Sequence, residues 1–220
     1  MTGKGSLNHN SRKFHAKNTD PNRTHWNVEY CNEDIKDVYH ELFDDALKRY
    51  NDKQTRKDRK IDDYYEKIRS GKQEKLFHEV ILQIGDKDNM GSETMEGQLA
   101  AKILDEYMKG FQERNPTLRV FAAHLHLDEA TPHLHIDFIP YVTGSKRGLD
   151  TRVSLKQALS SLGFKGGSRS ETELNQWVQS EKQKLAMVMR ENEIEWDQKG
   201  THEQHLSVLD YKKKVREQEG

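Results

Sequence analysis

The sequence predicts an α+β fold, an antiparallel β-sheet of about five strands with helices packed on its faces. Three observations predict it. Two alternating stretches, "RVFAAHLHL" (119–127) and "HLHIDFIPY" (133–141), are separated only by "DEATP" and can pair as a hairpin. Amphipathic helical repeats flank that hairpin on both sides. The order along the chain is strand, helix, strand, helix, hairpin, helices. With a hairpin at its centre, that order favours antiparallel pairing.

Each element has its own signal. "NTDPNRTHWNVEY" turns at Asp20-Pro21-Asn22 and then alternates through Trp26, Val28 and Tyr30, which predicts a strand. Asn32 is the expected N-cap of the next helix, whose face is Ile35, Val38, Tyr39, Leu42, Ala46 and Tyr50. The basic stretch from Asn51 is helical in part and ends at Gly71. "KLFHEVILQIG" (75–85) is a strand terminated by Gly85. Leu99, Ala100, Ile103, Tyr107 and Phe111 mark a second helix, closed before Asn115-Pro116. Ser154 with Gln157, and Ser170 with Glu173, have capping-box spacing. They predict a short helix through Leu159 and a longer one to about Met189. The predicted domain spans residues 1–198, and residues 199–220 are a polar tail or the start of a helical linker.

Composition narrows the function classes. The chain has 220 residues, of which 33% are charged and 33% hydrophobic. The single cysteine, Cys31, excludes a disulfide framework and a cysteine zinc cluster. No apolar run approaches the ~20 residues of a membrane span, and the first residues lack the apolar core of a signal peptide. A cytoplasmic location is expected. The net charge of −1 hides segregation, because residues 1–25, 53–75 and 141–170 each carry a clear basic excess. Such segments can build a face for a polyanion, or can be no more than solvated loops.

The hairpin concentrates ligating groups. Side chains two apart share a strand face. On the first strand His124 and His126 share one face, with Phe121, Ala123, Leu125 and Leu127 opposite. On the second, His133, His135 and Asp137 oppose Leu134, Ile136 and Phe138. The turn brings His126 close to His133 and His135. Three neutral imidazoles on a rigid hairpin make a divalent-metal site with open positions, as catalysis requires. Imidazole suits zinc, manganese, nickel or copper better than magnesium. A lone strand histidine is usually structural; three at this spacing favour a metal. His124 and Asp137 are left as neighbours. Asp128 and Glu129, in the turn, can ligate, orient a histidine or act as a base.

The signature "HLDEATPHLH" (126–135) resembles the third motif of MobV-type relaxases, the Mob/Pre plasmid mobilisation and recombination proteins. "NHNSR" (8–12) resembles their first motif and "NTDPNRTHWN" (18–27) their second. The resemblance implies a relaxase fold with the metal histidines on central strands of an antiparallel sheet. It implies a metal-dependent, site- and strand-specific enzyme that nicks a transfer origin by transesterification. Carried over by position, His126, His133 and His135 bind the ion, Glu129 is an acid near it, His9 is the nucleophile and Arg12 a basic residue beside it. The ion expected is manganese, with magnesium as the alternative. The partner implied is DNA, as a transfer-origin hairpin and a single strand. Members often continue into a coiled coil, so self-association through a longer C-terminal region is a further expectation.

That chemistry gives the basic segments a use. Lys13, Lys17 and Arg23 are expected to flank the nucleophile. Arg56, Lys57, Arg59 and Lys60 are expected to grip the duplex part of an origin. Lys146, Arg147 and Arg152 are expected to hold a strand threaded past the metal, through phosphate contacts. Trp26 and Tyr141 are candidates for base stacking, although burial suits Trp26 better. Tyr30, Tyr64 and Tyr65 are the competing nucleophiles. The alternatives to a relaxase are a rolling-circle replication initiator or transposase of the same endonuclease class, a metal-dependent phosphoesterase, and a DNA-binding module with a structural metal. Trp177, Trp196 and the methionines are expected in or around the core, and His202 and His205 in solvent.

Overall fold

The hairpin expected from residues 119–141 is the spine of the molecule. The structure, a computed structural model, describes residues 2–3 and 6–195. Residues 199–220, Trp196, His202 and His205 lie outside the described residues. Strand β4 (Leu118–His126) and β5 (His133–Val142) pair antiparallel, with His126 opposite His133, Leu125 opposite Leu134 and His124 opposite His135. Around them, β1 (Thr2–Gly3), β2 (Val28–Asn32) and β3 (His78–Gln83) complete a sheet in the order β1-β3-β5-β4-β2, with every neighbouring pair antiparallel. A two-residue strand, β6 (Arg152–Val153), adds to the far end of β5. β1, β6 and the one-turn helix α1 (Leu7–Asn10) were not foreseen, because two to four residues carry no readable period.

Helices cover both faces. On one lie α4 (Met95–Lys109), α5 (Phe111–Arg114), α6 (Leu155–Ser161) and α7 (Glu173–Glu191). Their Ile103, Leu104, Tyr107, Phe111, Leu159 and Trp177 pack on Leu125, Leu134, Ile136 and Phe138. On the other lie α2 (Ile35–Asp52) and α3 (Tyr64–Ser70), which bury Val38, Tyr39, Phe43 and Tyr64 against Phe121, Ala122 and Ile139. These two helices cover only the half of that face away from the histidines. Residues 6–27 lie over the other half.

Phe121 corrects a sequence expectation. It was assigned with Ala123 and Leu125, but it packs on the histidine-bearing face. A register shift explains this. Val120 opposes Phe138 while Ala122 opposes Asp137, so Phe121 is an extra residue, a β-bulge. The bulge lets Leu118 and Val120 share a face with Ala123 and Leu125. Caps shift by a residue or two as well. Asp34, not Asn32, caps α2 by accepting from the Lys36 amide. Thr172, not Ser170, caps α7. Ser154 caps α6 as expected. Gly85, beyond β3, has φ of +67°, a conformation glycine adopts without strain.

Leu134 is fully buried between the sheet and α4, whereas Met95 is 87% exposed at the start of α4. We expect Leu134→Ala to cost about 2–5 kcal/mol and Met95→Ala to stay within about 0.5 kcal/mol of wild type. Urea unfolding midpoints at constant slope check both.

Candidate active site

Alternation along β4 and β5 puts His126, His133 and His135 on one face, and the pairing register brings them together. Their ring centroids are 4.8–5.2 Å apart. One nitrogen from each lies within 4.8 Å of the other two. The remaining nitrogens are anchored. His126 Nε2 donates to the Asn10 carbonyl at 2.8 Å, and His133 Nδ1 donates to the Thr131 carbonyl at 2.8 Å. His135 Nδ1 donates to Glu79 Oε1 at 2.7 Å. Each acceptor fixes a tautomer, so the inner nitrogens, Nδ1 of His126 and Nε2 of the other two, carry lone pairs.

The donor set fits a divalent ion. His135 Nε2 is buried without a hydrogen-bond partner, and His126 Nδ1 meets only the lone pair of His133 Nε2, at 3.4 Å. Unpartnered buried acceptors facing one another are costly unless something cationic sits among them. Burial lowers the pKa of His133, and lowers that of His126 to about 2, which keeps both rings neutral as ligands must be. His124, by contrast, reaches Glu29 at 3.3 Å at the edge of the cluster. Asp137 stands behind it. Burial and the neighbouring Glu79 carboxylate push its pKa up to about 7.

The N-terminal segment closes the site from above. Two residues beyond helix α1 stands Arg12, whose φ of +53° is unusual for a residue with a side chain. Its amide and that of Lys13 bond back to His9 and Asn8, so the chain reverses and the guanidinium drops onto the 126–133 turn. There Nε and Nη2 grip Asp128 at 2.9 and 2.5 Å, and Nη2 also reaches Glu129 at 2.9 Å. The Asp128 side chain is fully buried, and Arg12 lowers its pKa to about 2. Thr24 and Asn27 complete the clasp, with Thr24 Oγ1 on Asp128 and Asn27 Oδ1 accepting the Leu127 and Asp128 amides.

This places His9 at the face of the three imidazoles. Its ring centroid is 6.0 Å from that of His126 and 6.4 Å from that of His135. Its Nε2 lies 3.4 Å from both Arg12 Nη1 and Glu129 Oε1. Burial, then Arg12, lowers its pKa. Glu129 stands between the two groups, 3.7 Å from His133 Nε2 and tied to Asn18 at 2.6 Å.

The tyrosines lie elsewhere. Tyr30 donates to Asp105 on α4, on the opposite face, and Tyr64 accepts from the Val153 amide within the α2–α3 core. The basic candidates divide. Lys13 is exposed beside the site. Arg23 is not free: its guanidinium donates to the Leu127 and Glu129 carbonyls and to Asp20, shaping the turn. Arg56 pairs with Asp58, and Arg59 is exposed. Lys146, Arg147 and Arg152 do not flank the histidines. They follow Val142, seven residues along β5 from His135, roughly 23 Å at about 3.3 Å per residue. There Arg147 and Arg152, with Lys67 and Lys72, line a cleft of about 640 Å³. Trp26, expected to be buried, is 38% exposed.

Sequence reasoning missed Glu79 and Asn10. Asn10 is buried, and its amide donates to Glu79 at 2.8 Å and Asp137 at 3.1 Å. A signal existed for Glu79, an acid at the head of the mainly apolar run "EVILQI"; for Asn10 there was only its place beside His9.

A profile of the plasmid recombination enzymes, Mob_Pre, matches residues 6–213. The chain belongs to the Mob/Pre family. Mob/Pre proteins are plasmid recombination enzymes and so act on DNA. Crystal structures of the MobM relaxase domain (MOBV; Mob_Pre), Mn-bound and bound to plasmid pMV158 oriT DNA, share the fold. One, with a 22-nucleotide DNA at pH 5.5, is 23% identical over 94% of this chain and 90% of that one, with a TM-score of 0.53. Another, with 23 nucleotides at pH 6.5, is 23% identical over 96% and 90%, with a TM-score of 0.52. No curated protein matches the chain.

Two predictions follow from the Mob/Pre site. We expect His135→Ala to weaken Mn²⁺ binding more than about 100-fold, since it removes one of the three clustered nitrogens, while His124→Ala leaves it within a few-fold; titration calorimetry checks this. We expect Asp128→Asn to destabilise by about 2–3 kcal/mol at pH 7, because Arg12 loses the fully buried one of its two carboxylate partners and keeps only Glu129. The folded pKa of Asp128 is depressed, so its contribution is present above the unfolded value near 3.8 and fades towards about 2. The gap between wild type and variant should therefore narrow between pH 4 and pH 2 in urea titrations.

Proposed function

We propose that this Mob/Pre chain is a relaxase that cuts one strand of a plasmid or mobile-element transfer origin and stays joined to the 5′ phosphate through His9. The observation that carries this reading is the seat of His9, a nucleophile-capable ring about 6 Å from two imidazoles of the metal-type triad. His126, His133 and His135 would hold a divalent ion, manganese first and magnesium second, which when bound polarises a non-bridging phosphate oxygen. The Mn-bound state of the MobM structures supports that choice.

The remaining work falls to this chain's own groups. The lowered pKa of His9 leaves the ring neutral, so one nitrogen has a lone pair to offer phosphorus. As the P–N bond forms, the bond from phosphorus to the 3′ oxygen breaks and its electron pair leaves with that oxygen, which takes a proton from solvent. The ring gains positive charge in this step, and Glu129, 3.4 Å away, is placed to balance it until the other ring N–H proton departs. Arg12 holds the segment on the turn, with Nη1 facing His9 at 3.4 Å. The phosphoramidate conserves the bond energy, so a 3′ hydroxyl can attack it later and rejoin the strand.

The proposed partner is DNA in two parts. An unpaired strand lies at the histidines, and a duplex hairpin arm lies at the basic cleft of Arg147, Arg152, Lys67 and Lys72. The stretch of β5 from His135 to Val142, roughly 23 Å at about 3.3 Å per residue, is the length of about seven nucleotide steps at ~3.4 Å.

Incubation with supercoiled plasmid carrying candidate origins tests the reading. We expect relaxed circles only without chelator, and a protein–DNA adduct that acid cleaves, as it would not cleave a tyrosine ester. His9→Ala should lower nicking at least about 1,000-fold. Nicking by that variant at the wild-type rate would overturn the assignment.

A further inference from the structure

Phe14 is an aromatic side chain that the site does not explain. It is 50% exposed, more than Trp26 at 38% in the same segment. Its ring centroid lies 5.9 Å from that of His9, with the planes tilted by 45°. The reversal at Arg12 puts it there, since the chain turns back over α1 as soon as the guanidinium has been delivered to Asp128. Exposed Lys13, His15 and Lys17 surround it in sequence, and no ion pair or hydrogen bond engages their side chains among the described residues. An exposed ring flanked by the unpaired Lys13 and Lys17, on the rim of the candidate site, has the composition of a single-strand stacking platform.

We propose that Phe14 stacks on the unpaired base of a nucleotide bordering the scissile phosphate. The inference rests on the nicking reading and adds a base-binding subsite to it. The separation limits the register. With the two rings 5.9 Å apart, a base lying on Phe14 belongs to a nucleotide within about two steps, at ~3.4 Å each, of the phosphate facing His9. A base lying on Phe14 therefore sets its own backbone in front of His9, while Lys13 and Lys17 neutralise the flanking phosphates. A phenyl face stacks on any base, so Phe14 contributes position rather than sequence preference. The same contact holds the cut strand in register for rejoining, since the 3′ hydroxyl must return to the phosphorus it left.

The test uses the full chain carrying His9→Ala, so that binding is read without cleavage. A single-stranded origin oligonucleotide carries the fluorescent base 2-aminopurine immediately 5′ or immediately 3′ of the nick position, in separate samples. We expect fluorescence to be quenched on binding at one of these two positions and not at a position five nucleotides away. Phe14→Ala should abolish that quench and weaken oligonucleotide binding about tenfold or more. Phe14→Trp should restore both, and Phe14→Leu, apolar but not aromatic, should not. Equal behaviour of the Leu and Trp variants, or an unchanged quench in Phe14→Ala, overturns the stacking assignment while leaving His9 chemistry intact. Failure of the parent protein to bind the oligonucleotide at all overturns the nicking reading, and this inference with it.

Discussion

The buried ion pair between Arg12 and Asp128 is the constraint on which the site depends. The hairpin can present three imidazoles by itself, since strand register alone sets their spacing. It does not carry His9, the nucleophile proposed above. That residue comes from the N-terminal segment, where Arg12 lies 116 residues before Asp128, and the segment has little apolar surface to hold it in place. A guanidinium gripping a carboxylate through two bonds fixes orientation as well as distance. Because Asp128 is inaccessible to water and Arg12 nearly so, leaving either charge unpaired would be costly, so the docked arrangement excludes its alternatives. The left-handed backbone at Arg12 is tolerated for the same reason.

Below that clasp, Asn10 ties the segment to the sheet. Its carbonyl receives His126, and its amide bridges Glu79 and Asp137, so one buried side chain and its own backbone meet three strands. Glu79 in turn orients His135. The ligand-type histidines and the candidate nucleophile thus share supports. Displacing the segment would disturb the tautomers of the triad as well as removing His9, and the position of one group is not independent of the other's chemistry.

Much of the fold was legible in the sequence because its strongest signals are periodic. The face of α2 from Ile35 to Tyr50, the face of α4 through Tyr107 and the alternation of His133, His135 and Asp137 each follow from repeat length alone. The triad was legible because a hairpin converts sequence spacing directly into spatial spacing. What could not be read was tertiary. "VFAAH" is apolar in either phase, so nothing local reveals that Phe121 is the inserted residue. Ser170 and Thr172 are both competent caps, and packing of α7 selects the second. Lys146, Arg147 and Arg152 follow the histidine strand in sequence, but a ten-residue strand carries them to its opposite end. Asn10 and Glu79 meet only after β3 pairs with β5 and α1 docks.

The bulge at Phe121 has a consequence for how the protein can vary. It joins two halves of one strand that run in opposite phase along the sequence, one that anchors the helix pair and one that presents the imidazoles. Removing that one residue would restore plain alternation, with Leu118, Val120, Ala123 and Leu125 still on one face and the imidazoles on the other, and would forfeit only the Phe121 ring beneath α2 and α3. A further insertion has no such outlet, since a one-residue slip turns the side chains of one half to the opposite layer. The strand therefore tolerates shortening at this point better than lengthening.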